Sequence, residues 1–175
     1  MPSARGTLDW TIADDAPDLL APPVAAAIGD APGALVTAID PTLADTAAFC
    51  EAYDVAPEAS ANCVIVAGRR GEVTRYAAVM VLATTRADIN STVRRHLDVR
   101  KISFAPHDDA VTRTGMEFGG ITPIGLPEDW PILVDERVAA CPEAVIGSGR
   151  RGSKLLVTGA TLAALPRAEV LDLVR

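Results

Sequence analysis

Several groups of residues in this chain have types and spacing that could carry chemistry. Gly147-Ser148-Gly149-Arg150-Arg151-Gly152-Ser153-Lys154 spells GxGxxG and nearly spells a phosphate-binding loop. Either motif works by aiming the N-terminal amides of a following helix at phosphate oxygens. Here Leu155-Leu156-Val157-Thr158-Gly159 follows, which reads as a strand and a stop, and Ser153 precedes Lys154 where a phosphate loop needs the reverse order. The segment is expected to be a hairpin turn whose arginines remain free to contact phosphate. His96 and His107 stand eleven apart on different expected elements, with Asp108 and Asp109 beside the second. No third ligand falls at helical or tight-turn spacing, so no metal site is expected and both histidines read as solvated or partly buried. No GxSxG elbow occurs. Cys50, Cys63 and Cys141 are odd in number and lack CxxC spacing, which suits reduced thiols. Cys63 lies inside an apolar run and reads as an inert buried thiol.

The remaining candidate is Gly119-Gly120-Ile121-Thr122-Pro123-Ile124-Gly125-Leu126-Pro127. Paired glycines let backbone approach a ligand closely, and Pro123 fixes the shape of the loop. Such a loop can offer N–H groups to a developing oxyanion, or a carbonyl to a water, with no catalytic side chain. It can equally be a structural turn, and the residues alone leave both open.

The elements that must position these segments follow from periodicity and punctuation. Strands are expected over residues 34–40, 62–68, 75–84, 102–104, 132–134, 144–146 and 154–158, with a last one near Val170. Helices are expected over 42–53, 88–98, 107–114, 136–140 and 161–165, with Gly115 as a C-cap. Turns are expected at 68–71 and 149–152, and Pro22-Pro23 is expected to interrupt any helix that starts near Asp18. Hairpins mixed with helices argue for an α+β class rather than a doubly wound parallel sheet. The 175 residues suit a single domain, with residues 1–33 as an acidic leader packed on a core of 34–175.

Composition narrows the function classes. No apolar stretch reaches the roughly 18 residues a membrane span needs, and no secretory signal opens the chain, so a cytoplasmic protein is expected. The net charge is −7, with −9 in residues 1–58 and +2 in residues 59–175. A strong nonspecific nucleic-acid binder would be basic overall, so DNA is not expected as a partner and any RNA contact should be local.

From about Glu51 onward the chain resembles the YbaK/EbsC family, relatives of the editing domain of bacterial prolyl-tRNA synthetase. The resemblance is carried by Pro57-Glu58 before the strand at 62–68, by Val81-Leu82-Ala83, and by Lys101-Ile102-Ser103-Phe104-Ala105. It continues through Thr114-Gly115, Gly119-Gly120-Ile121-Thr122-Pro123-Ile124-Gly125, Val134-Asp135 and Gly149-Arg150-Arg151-Gly152. It implies a mixed, partly barrel-like sheet surrounded by helices and, as activity, hydrolysis of a mischarged aminoacyl-tRNA bearing a small residue such as alanine or cysteine on tRNA-Pro. The implied catalytic loop is Gly119, Gly120, Ile121, Thr122 and Pro123. Substrate contacts are expected from Asn62, Cys63, Ser148, Gly149 and Lys154, and tRNA phosphate contacts from Arg94, Arg95, Arg100, Lys101, Arg150 and Arg151. The implied partners are tRNA and an aminoacyl-tRNA synthetase, with no cofactor. Asn62 stands where many relatives carry a lysine, so Lys154, one of two lysines in the chain, is expected to supply the missing cation. The alternative is a noncatalytic module that binds the aminoacyl or tRNA end. A hydrolase of another activated acyl compound is a third possibility.

Overall fold

Alternating and continuous apolar runs pair into two sheets in the computed structural model, which describes residues 2–175. The strands are β1 (Thr11–Ile12), β2 (Leu35–Ala38), β3 (Ala61–Arg70), β4 (Val73–Leu82), β5 (Lys101–Phe104), β6 (Ile132–Asp135), β7 (Ala144–Gly147), β8 (Ser153–Val157) and β9 (Ala168–Leu171). The smaller sheet has the order β1-β2-β8-β7 and the larger β5-β3-β4-β6-β9. Pairs within the smaller sheet are antiparallel, as are β5/β3 and β3/β4. β4/β6 and β6/β9 are parallel, so the larger sheet is mixed. A bridge between Ser60 and Val145 brings the start of β3 against β7. The sheets meet there without closing, so the barrel character implied by the resemblance is limited to two open sheets facing one another.

Among the described residues six α-helices surround them: α1 (Pro22–Ala27), α2 (Thr46–Tyr53), α3 (Arg94–His96), α4 (His107–Thr114), α5 (Glu136–Ala139) and α6 (Gly159–Ala163). The apolar faces of both sheets feed a core that includes Val36, Met80, Ile132, Ile146 and Leu155, each almost wholly buried. The expected helix over 88–98 is one π-helical turn at Ile89–Val93 running into α3, with the Asp88 carboxylate accepting from Ser91 N–H at its start.

Two local expectations change. Pro22 and Pro23 open α1 instead of interrupting a helix, because a proline in the first turn sacrifices no intrahelical bond. The hairpin turn lies at Gly71, with φ +63°, and Gly68 stays inside β3 opposite Arg75. A β-carbon at Gly68 would stand 2.6 Å from a Val99 methyl, so that glycine serves close packing rather than a turn.

Candidate functional site

The 147–154 segment is the hairpin between β7 and β8, with no helix after it to receive a phosphate. The glycine loop docks on this hairpin backbone to backbone. Glu117 N–H donates to the Gly149 carbonyl at 2.9 Å, and Gly149 N–H donates to the Gly120 carbonyl at 2.7 Å. The Gly120 N–H is itself given to the Glu117 carbonyl at 2.9 Å. A β-carbon at Gly120 would meet the Arg150 backbone at 2.7 Å, and one at Gly147 the Gly120 oxygen at 2.4 Å. The glycines are therefore required for the approach of the two segments.

Beside this junction a cavity of about 670 Å³ opens between β3, β7 and the loop. Gly119 and Ile121 line it, while Gly120, Thr122 and Pro123 do not. Both backbone polar groups of Gly120 are already bonded, so it has no N–H to offer an oxyanion. The N–H groups of Gly119 and Ile121 have no partner among the described residues. Thr122 and Pro123 are buried, and the Thr122 hydroxyl has no hydrogen-bond partner among the described residues.

Of the expected substrate contacts, Asn62, Cys63 and Lys154 face the cavity, whereas Ser148 and Gly149 lie outside its lining. The buried Ser148 hydroxyl stays within its own turn, 2.6 Å from the Ser153 hydroxyl and accepting from Arg150 N–H at 3.2 Å. Asn62 accepts a hydrogen bond from the Thr46 hydroxyl at 2.8 Å. Burial pushes the Cys63 thiol up to about 12, so it stays protonated and is no nucleophile near neutrality.

Lys154 projects from β8 opposite Gly147 on one side and Thr37 on the other. It is 8 % exposed, and its ammonium lies 5.2 Å from the centre of the Phe49 ring. Nζ donates to one acceptor, the Ala44 carbonyl at 3.0 Å, and Lys154 has no ion pair among the described residues. Burial holds its pKa below the ordinary lysine range, with Cys50 and, more weakly, Asp45 opposing and the charge of Arg151 acting in the same direction as burial. Arg151 also lines the cavity, donating to the carbonyls of Phe118 at 3.0 Å and Pro41 at 3.3 Å.

The other arginines expected at phosphates divide. Arg150 is turned to the Leu20 carbonyl at 2.9 Å, outside the cavity. Arg94 and Arg95 each return a guanidinium N–H to a carbonyl four residues back. Arg100 and Lys101 are exposed at β5. The cavity also gathers Asp45, Thr46, Phe104, His107 and Phe118, none of them expected there. The sequence signal for the last three is scarcity, since the chain has three phenylalanines and two histidines; the structure leaves Phe104 and Phe118 exposed. Among the described residues no cluster of three or more His, Cys, Asp or Glu could hold a metal ion. Among the same described residues no helix is long and apolar enough to cross a membrane.

Two open sheets with a ligand-sized cavity at their junction, one buried cation beside it and a largely apolar lining define an α+β domain with room for a small ligand. Residues 40–165 match the aminoacyl-tRNA editing domain, and the chain belongs to that family. The structure is similar to that of a candidate trans-editing enzyme for prolyl tRNA synthetase, at 20% identity and a TM-score of 0.75, over 89% of this chain and 96% of the other. It is also similar to a scaffold protein used in epitope backbone grafting, at 21% identity and 0.74, over 89% and 97%. A third similar structure, hypothetical protein APE2540, matches at 22% identity and 0.67, over 75% and 85%. At these identities the likenesses establish the fold. No curated protein matches the sequence.

Proposed function

We propose that this editing domain hydrolyses the ester of a mischarged aminoacyl-tRNA, with a small residue such as alanine or cysteine on tRNA-Pro as substrate. The carrying observation is Lys154, a buried ammonium with a single carbonyl partner facing a cavity large enough for an aminoacyl group. A buried cation with spare N–H groups is costly unless an oxygen acceptor arrives, and the ester carbonyl is such an acceptor. As water adds to the carbonyl carbon, Lys154 and the N–H groups of Gly119 and Ile121 would stabilise the charge gathering on that oxygen. The bond from carbon to ribose oxygen then breaks, and the water's proton ends on the ribose oxygen. An aminoacyl ester is already activated, so orientation and charge stabilisation suffice. Exposed Asp45, at the cavity and without an ion pair among the described residues, suits the substrate's α-ammonium group. Asn62 and Cys63 would shape the seat for the side chain. The expected partners are the tRNA acceptor end and a synthetase that releases the mischarged product.

The second reading, a module that binds the aminoacyl end without cleaving it, is favoured by one observation. The Cys63 thiol is held protonated and the Asn62 carboxamide is not basic, so neither can take a proton from water. Turnover decides. Ala-, Ser- and Cys-tRNA(Pro), beside correctly charged tRNAs, would be incubated with the wild type and with Lys154→Met. Selective release of amino acid by the wild type, lost in the variant, is the expected result. Binding without release on every ester would leave the binding module.

A further inference from the structure

Three phenylalanines occur in the chain. Phe49 is fully buried beneath Lys154, whereas Phe104 keeps 63% and Phe118 51% of its surface exposed. Both exposed rings belong to the lining of the cavity described above, and Phe118 is stacked on the His107 ring at 3.9 Å and 25°. Exposed apolar rings gathered at one opening mark a binding surface more than isolated surface residues do. Phe104 is the last residue of β5, an edge strand of the larger sheet. That strand begins at Lys101, directly opposite Arg69 on β3, and Arg100 precedes it with its N–H on the Arg69 carbonyl at 2.8 Å. Like charges facing each other across a strand pair are destabilising. Arg69, Arg100 and Lys101 have no ion pair among the described residues, whereas neighbouring Arg70 is held by Asp98 at 2.8 Å. Side chains alternate along a strand, so Arg69 and Lys101 lie on one face of the pair and Arg100 on the other with Phe104. Three uncompensated cations therefore flank the open edge of β5, with Lys101 about 10 Å along the strand from the aromatic mouth at roughly 3.3 Å per residue.

Cations tracking a backbone beside aromatic rings that accept bases are how single-stranded nucleic acid is held without sequence readout. We infer that β5 is a track for the single-stranded 3′ end of an RNA: Arg69, Arg100 and Lys101 take its phosphates, and Phe104 with the His107–Phe118 stack takes its terminal base. This rests on the editing reading, which requires such an end to deliver the ester into the cavity. It narrows the phosphate contacts to the β5 side, away from Arg94, Arg95 and Arg150, whose guanidinium groups are bonded to nearby carbonyls.

The test is fluorescence anisotropy of a short labelled oligoribonucleotide ending in CCA, titrated with the full chain at several salt concentrations. Phe104→Ala and Phe118→Ala should each weaken binding by about five- to a hundredfold, the span of one stacked base, without changing the salt slope. Arg100→Ala with Lys101→Ala should weaken binding and lower the slope of log affinity against log salt by about 1.4, at roughly 0.7 per phosphate on a single strand. Moving the CCA inside a hairpin, so that no free 3′ end remains, should abolish binding. Unchanged affinity in the phenylalanine variants, an unchanged slope in the cation variant, or equal binding of the blocked oligonucleotide would overturn the track. All these side chains are exposed, so loss of fold is not expected, and circular dichroism checks it. If the oligonucleotide fails to bind while aminoacyl-tRNA is still hydrolysed, the track is wrong and editing stands. If it binds in the expected pattern and no ester is cleaved, the track stands and the catalytic reading falls.

Discussion

Lys154 carries opposite consequences for stability and for chemistry. Removing a buried ammonium that has one hydrogen bond should relieve a cost, so Lys154→Met is expected to raise stability by about 1–3 kcal/mol, the range for an incompletely satisfied buried polar group. In a chain of this size that is roughly 2–4 °C of Tm per kcal/mol. The pH dependence has a definite sign. Folding lowers the lysine pKa, so between the folded value and the ordinary lysine value the unfolded chain holds the extra proton. Wild-type stability should therefore gain a rising contribution with pH across that window, and the variant should lack it. Thermal melts of both proteins from neutral to alkaline pH check this. Deacylation should move the other way, falling about a hundredfold or more if Lys154 serves the oxyanion. A variant less stable than wild type would mean that the ammonium is better satisfied than its single bond suggests.

At the scale of elements, the site is a junction of two glycine-bearing segments, and that junction is fragile to one carbon atom. Gly120→Ala places a β-carbon 2.7 Å from the Arg150 backbone, where no flexible side chain can yield. The expected outcome is destabilisation by about 1–3 kcal/mol, the usual cost of overpacking, with loss of the Gly149-to-Gly120 hydrogen bond. Denaturant melts, together with loss of amide protection at Gly149, would show it; a wild-type midpoint would contradict it. Much of this architecture was legible in the sequence. The runs at 62–68 and 75–84 announced the hairpin of β3 and β4, and Gly115 at φ +68° caps α4 as its position suggested. Both glycine segments were legible as special backbone. Less so was which side chains share the cavity, because that depends on β3 meeting β7 through the Ser60–Val145 bridge. Pairing between strands distant in sequence leaves no local pattern, so Ser148 looked as available as Lys154 although its hydroxyl points back into its own turn. His107 and Phe118 likewise meet only because α4 and the glycine loop converge on the same opening.

Over the whole molecule, the acidic N-terminal third is tied directly to the site. Leu20 and Val24 are fully buried, Ala21 N–H donates to the Ser148 carbonyl at 3.2 Å, and the Leu19 and Leu20 carbonyls accept from Ser153 and Arg150. Residues 19–24 thus brace the hairpin from behind the cavity, while Asp14, Asp15 and Asp18 stay exposed. Residues 1–58 sum to −9 and the remainder to +2, so an approaching polyanion meets a repulsive and a weakly attractive part of one surface. Replacing those three exposed aspartates by asparagine leaves the buried brace intact and reduces only the repulsion. RNA association by the triple variant should therefore quicken severalfold at 0.01 M salt, where the screening length is about 30 Å. The gain should vanish at 1 M salt, where that length falls to about 3 Å. Stopped-flow association with the same oligonucleotide provides the measurement. A gain that persists at high salt would mean that the aspartates touch the RNA or its binding surface directly. No gain at low salt would mean that RNA reaches β5 along a path the acidic third does not face, and the charge asymmetry would then have no part in steering.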